Sequence, residues 1–133
     1  MKKIILYIAL AFSTTAVAQE TTIDTDPDIK NGQYILYKKN AHASYYHNKF
    51  NGRKTASGKK FNNNDLTAAH KKLPFGTKLK ITNEKNNKCV IITVTDRGPF
   101  VNGREIDLSK RAFLNIASNK KSGALIVTIE VLK

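Results

Sequence analysis

The stretch Asp96-Arg97-Gly98-Pro99-Phe100 sets a carboxylate and a guanidinium where an apolar strand gives way to a turn. Just upstream, Cys89-Val90-Ile91-Ile92-Thr93-Val94-Thr95 alternates with a period of two, so Val90, Ile92, Val94 and Asp96 share one face. An acid therefore ends an apolar row. Gly98 and Pro99 stop the strand, because proline donates no ladder hydrogen bond and biases the residue before it away from helix. This places Asp96 on a rim, where a partly desolvated carboxyl can hand a proton to a substrate. The same placement suits an aspartate that only caps a turn, and the spacing alone leaves both readings open.

The elements that must position this acid are short. Ala43 to Tyr46, Leu66 to Ala69, Thr77 to Thr82, Lys88 to Thr95, Glu105 to Leu108 and Ala124 to Leu132 read as strands. Gly, Asn and Pro clusters separate them, notably Asn48 to Gly58, Leu73 to Gly76 and Asn83 to Asn87. One helix follows Ser109, which can cap it, with Leu108, Ala112, Phe113 and Ile116 on one side. Six strands, one short helix and no repeat predict a small closed all-β barrel, in which closure removes exposed edges such as that of Ile126-Val127-Thr128-Ile129.

The ends of the chain and its charge bound the setting. Its 133 residues suffice for a single small core. Lys2 and Lys3, the apolar run Ile4 to Phe12 and the small residues Ala16-Val17-Ala18 read as a signal peptide over residues 1–18, cleaved after Ala18. Residues 19–41 read as a flexible, polar lead-in, with Tyr34-Ile35-Leu36-Tyr37 as a possible extra strand or packing arm, and the barrel domain is expected over 42–133. Asp24, Asp26 and Asp28 imitate the start of a calcium loop, but Ile29 and Ile35 stand where its Gly and Glu belong. Cys89 has no partner cysteine and reads as a half-buried free thiol. His42, His47 and His70 lack ligand spacing, so neither a metal nor a cofactor is expected. Loss of Lys2 and Lys3 with the signal leaves 21 basic residues against 10 acids, a net charge of +11. Such a body attracts polyanions, and for an exported chain the first of these is the cell wall rather than nucleic acid.

The order of motifs carries more than any one of them. Ala43-Ser44-Tyr45-Tyr46, Gly52-Arg53-Lys54-Thr55-Ala56-Ser57-Gly58, Leu66-Thr67-Ala68-Ala69-His70, Leu73-Pro74-Phe75-Gly76-Thr77, Asp96-Arg97-Gly98-Pro99-Phe100 and Ile106-Asp107-Leu108-Ser109 together resemble the rare lipoprotein A (RlpA) family over roughly residues 42–132. The resemblance implies a six-stranded double-psi β-barrel, related to barwin and to the first expansin domain. It implies lytic transglycosylation of peptidoglycan glycan strands to give 1,6-anhydromuramic ends, favouring strands stripped of stem peptides, with Asp96 as the acid/base and His70 as a histidine close to it. Asp107 matches a second rim aspartate that matters in the expansin relatives.

One position departs from the pattern. Where active members carry a Glu after Thr-Ala-Ser-Gly, this chain has Lys59. A lysine beside Asp96 favours the ionised carboxylate, which weakens the case for cleavage, or converts the site into an anion-binding groove in which Lys59, Lys60 and Arg97 hold lactyl or stem-peptide carboxylates. The alternative function is thus a non-catalytic, expansin-like glycan binder. Tyr45, Tyr46 and Phe100 are candidates for stacking on sugar rings, although strand alternation sends the two tyrosines to opposite faces. Many members also carry a lipid-attachment Cys and a sporulation-related repeat domain. Their lack here leads us to expect no stable membrane anchor. The chain is expected to act as a monomer on peptidoglycan, in the periplasm or after secretion, with no nucleic-acid partner.

Overall fold

The computed structural model describes residues 32–133, so the expected signal peptide and the start of the lead-in lie outside the described residues. Six strands, β1 (Tyr34–Tyr45), β2 (Thr67–His70), β3 (Lys78–Asn83), β4 (Cys89–Asp96), β5 (Ile106–Leu108) and β6 (Leu125–Leu132), close into a barrel in the order β1-β5-β2-β4-β3-β6. The β1–β5 and β2–β4 pairs are parallel and the remaining pairs antiparallel. Mixed pairing of this kind requires the chain to cross the barrel instead of walking round it by hairpins.

Alternation builds the core. Leu79 and Ile81 from β3, Val90, Ile92 and Val94 from β4, Ile106 and Leu108 from β5, and Val127 and Ile129 from β6 all point inward and are buried. Each such side chain contributes about 1.5–3 kcal/mol by leaving water. Helix α1 (Lys110–Ile116) plugs one side through Ala112, Phe113 and Ile116. With seven residues it is too short to be stable alone, and the Ser109 hydroxyl caps it by accepting from the Ala112 N–H at 3.2 Å.

Before residue 42, the extra strand that the sequence allowed at Tyr34-Ile35-Leu36-Tyr37 is present, but as the start of a longer strand. β1 starts at Tyr34 and pairs with β6 from Tyr34↔Leu132 onward, so Tyr34–Ala41 belongs to the barrel wall and not to a lead-in. Register shifts between Leu36 and Lys38 and between Lys38 and Ala41 break the period-two signal there, and Ile35 and Leu36 remain exposed. Cys89 opens β4 half-buried, as its position suggested.

Candidate functional site

Asp96 ends β4 beside Ala69 of β2, immediately after a register shift in the parallel pairing. A shift of this kind re-aims side chains at a barrel rim, and the carboxylate is half-buried there. Its Oδ1 accepts from the N–H of Ala56 at 2.9 Å and from the N–H of Arg97 at 2.9 Å. Its Oδ2 accepts from the Tyr46 hydroxyl at 2.6 Å. The chain leaves β4 through Gly98 at φ +123°, a backbone conformation that L side chains rarely adopt, and a Cβ there would meet the Phe100 ring at 3.6 Å.

The turn that reaches Asp96 is built by its own hydrogen bonds. Thr55 donates through N–H and Oγ1 to the Lys59 carbonyl at 2.8 and 2.7 Å, and the Ser57 N–H fastens the turn to the Thr95 carbonyl at 3.1 Å. Ala56 is thereby presented to the acid. Lys59 itself is exposed, and no hydrogen bond or salt bridge joins it to Asp96. With Lys60, Arg111 and Thr95 its side chain lines a groove of about 420 Å³.

Tyr46 lies just past β1, packed on Phe61 and Phe50 with ring centroids 4.4 and 5.6 Å away. Burial first, then its hydrogen bond to Asp96 and the charges of Asp96 and Asp107, hold its hydroxyl far above the usual tyrosine range. The phenol therefore keeps its proton at neutral pH. Tyr45 points the other way, onto Phe113 at 4.7 Å. Asp107 faces the same strand pair as Tyr46, because Ser44 and Asp107 are register partners of β1 and β5 and the Ser44 hydroxyl donates to the Asp107 carboxylate.

His70 is placed close in sequence register but is engaged elsewhere. Its Nδ1 accepts from the N–H groups of Lys72 and Leu73 at 3.1 and 3.2 Å, so the ring proton sits on Nε2 and is donated to Glu105 at 3.0 Å. Its side chain is only 1% exposed, and no hydrogen bond joins it to Asp96. Burial, with smaller effects from the Arg97 and Lys38 charges, holds its pKa below the ordinary value despite the opposing pull of Glu105. Arg97 braces the loop after β2, donating from Nη1 to the Leu73 carbonyl at 2.8 Å and lying 3.9 Å over the Phe75 ring. Phe100, four residues after Asp96, is 83% exposed.

The sequence could not show that Tyr46 and Ala56 hold Asp96, nor that Glu105 holds His70. Those partners are supplied by chain closure, not by spacing. Among the described residues no three of His, Cys, Asp and Glu converge as metal ligands, with His42 exposed and His47 capping the 3-10 turn Asn48–Phe50.

Known proteins resemble this chain in sequence and in fold. The model of the family described as "Lytic transglycolase" matches residues 38–129. The endolytic peptidoglycan transglycosylase RlpA of Pasteurella multocida is 55% identical over 76 residues, covering 57% of this chain and 26% of that protein. The probable endolytic peptidoglycan transglycosylase RlpA of Synechocystis is 43% identical over 117 residues, covering 88% of this chain and 34% of that protein. The chain thus spans about a quarter to a third of the length of these curated relatives. Among solved structures, a mutant Clavibacter michiganensis expansin in complex with cellohexaose superposes with a TM-score of 0.57 at 15% identity, over 76% of this chain and 51% of that one. A Streptomyces papain inhibitor superposes with a TM-score of 0.54 at 18% identity, over 75% of this chain and 94% of that one. The fold is the expected six-stranded double-psi β-barrel.

Proposed function

Because the chain belongs to the lytic transglycolase family through residues 38–129, we propose that it cleaves the glycan strands of peptidoglycan by lytic transglycosylation, with Asp96 as general acid and base. The relatives' names supply the substrate class. The observation that carries the chemistry is the unequal treatment of the two Asp96 oxygens. Oδ1 is filled by two backbone N–H groups, which can only donate, whereas Oδ2 meets a phenol hydroxyl, which can donate or accept. The exchangeable proton therefore belongs on Oδ2.

The C6 hydroxyl of a muramic acid attacks its own C1, and the C1–O4 bond to the neighbouring sugar breaks. O4 leaves with the proton of Asp96 Oδ2, and the same carboxylate takes the proton of the C6 hydroxyl. A two-carboxylate glycosidase needs a second acid for its nucleophile or base. Here the nucleophile is tethered to the reacting ring, which raises its effective concentration without help from the protein. Tyr46 fixes the carboxylate's orientation, and the exposed Phe100 offers a face for a sugar ring. One chain carries every group named, so a single copy suffices for the reaction. Action on the wall places it outside the cytoplasm, as a periplasmic or secreted protein released after Ala18.

A second reading, a wall binder without cleavage, is favoured by Lys59 and Lys60 on the groove beside the acid. Mass spectrometry of the soluble products from intact and peptide-stripped peptidoglycan separates the two. Anhydromuramic ends should form, and Asp96→Asn should lower their rate by at least about 100-fold while its Oδ1 still accepts from Ala56 and Arg97. Wall binding with no anhydromuramic ends from the unmodified protein would leave only the second reading.

A further inference from the structure

His70 has both ring nitrogens committed. Its Nδ1 accepts from the N–H groups of Lys72 and Leu73, its Nε2 proton goes to Glu105 at 3.0 Å, and the side chain is 1% exposed. A ring so placed has no nitrogen left to exchange a proton with a substrate. What it does hold is the loop between β2 and β3. The Leu73 carbonyl of that loop accepts from Arg97 Nη1 at 2.8 Å, and the Phe75 ring has the Arg97 guanidinium 3.9 Å from its centre. The Gly76 N–H donates to the Val94 carbonyl at 2.9 Å. The loop therefore grips the chain on both sides of Asp96, at Val94 before it and at Arg97 after it. The Arg97 N–H in turn donates to Asp96 Oδ1 at 2.9 Å.

We propose that His70 is a positioning residue for the reaction: by fixing the loop at Lys72 and Leu73 it sets Arg97, and through Arg97 the orientation of the Asp96 carboxylate. This rests on the reading that Asp96 carries the transferred proton. Glu105 takes part, since by accepting from Nε2 it keeps Nδ1 unprotonated and able to accept from the loop. Orientation matters because the two oxygens of Asp96 are not equivalent. Oδ1 takes the N–H groups of Arg97 and Ala56, and Oδ2 meets Tyr46. A loop displaced by about 1 Å misplaces Oδ2 against the leaving oxygen, an error that costs on the order of 100-fold in rate.

Two substitutions separate holding from proton transfer. Neither Asn nor Leu titrates, but the Asn Oδ1 can stand in for Nδ1 and accept from the two loop N–H groups, which Leu cannot. The substrate is soluble glycan stripped of stem peptides, and the temperature is below the Tm of every variant. His70→Leu should lower kcat about 100-fold with KM changed less than about threefold, and His70→Asn should lower kcat only about two- to fivefold. A His70→Asn rate as low as that of His70→Leu would assign the ring a proton and overturn the proposal. Arg97→Met keeps the backbone N–H to Asp96, removes the donor to Leu73, and carries the test if His70→Leu does not fold. It should lower kcat as His70→Leu does, and the two together should be little worse than either alone, whereas multiplied losses overturn the proposal. The Ala56 amide signal in NMR spectra reads the carboxylate without turnover. Ala56 donates to the same Oδ1, and no hydrogen bond among the described residues joins its turn to the loop after β2. Its signal should move in His70→Leu and in Arg97→Met and keep its place in His70→Asn. An unmoved signal in the first two overturns the proposal whatever the rates. Absence of anhydromuramic ends from the unmodified protein would instead overturn Asp96 as the acid, and the Ala56 signal would still decide whether His70 sets its carboxylate.

Discussion

Tyr46 and Asp96 meet at 2.6 Å although 50 positions separate them in the chain, and Ala56 reaches the same carboxylate from 40 positions away. The strand-end location of Asp96 was legible in the sequence because alternation and a Gly-Pro break are local signals. Its donors were not legible, since no local pattern marks a tyrosine as the partner of a distant acid. Tyr46 reads equally well as a stacking ring until the fold turns its hydroxyl inward. Tyr46→Phe keeps the packing on Phe61 and Phe50 and removes one donor. We expect stability to fall by about 1 kcal/mol and the cleavage rate by roughly 10- to 100-fold. Melting curves and product mass spectrometry check the two separately. An unchanged rate would mean that the hydroxyl does not steer the proton.

At the scale of elements, the short strands and the helix were readable because each buries one face. β2, β4, β5, β6 and α1 fall where period-two and helical spacing put them, and Ser109 caps α1 as its type suggests. β1 was readable only in two pieces, Tyr34 to Tyr37 as a possible extra strand and Ala43 to Tyr46 as a strand, since two register shifts displace the pattern between them. A different kind of contact joins β3 to α1. Asn83 is 1% exposed at the end of β3, and its Nδ2 donates to the Ile116 carbonyl at 2.8 Å while its Oδ1 accepts from the Lys85 N–H at 3.0 Å. It closes the helix C-terminus against the turn after β3. Asn83→Ala leaves a space in a buried corner and removes both bonds, and should cost about 1–3 kcal/mol in urea unfolding. Because the site lies elsewhere on the barrel, cleavage at low temperature should stay near the unmodified rate. A variant as stable as the parent would show that packing and Asn86, which also donates to the Ile116 carbonyl at 3.0 Å, hold the corner without Asn83.

For the whole molecule, closure depends on a seam that acid should open. β1, β5 and β2 are consecutive in the barrel, and Lys38, Glu105 and His70 join them through bonds of 3.0 Å each. The folded-state pKa of His70 lies below its ordinary value of 6.5, chiefly because burial penalises the charged ring. The unfolded chain therefore takes up that proton first. Glu105 also titrates below its ordinary 4.5, for although burial raises it, the hydrogen bonds from Lys38 and His70 and their charges outweigh that effect. Both shifts act in one direction. Stability from His70 is fully present above pH 6.5 and is lost as the pH falls through the folded value, and that from Glu105 follows below 4.5. Protonation would also turn the His70 Nδ1 into a donor facing the Lys72 and Leu73 N–H groups, so the ring would have to leave its place. Tm should accordingly be level from about pH 8 to 7 and fall steadily from about pH 6.5 to 5. His70→Asn, whose Oδ1 can still accept from the two backbone donors but has no titrating ring, should start with a lower Tm and stay flat over that interval. Equal slopes for the two proteins would place the acid lability outside this seam.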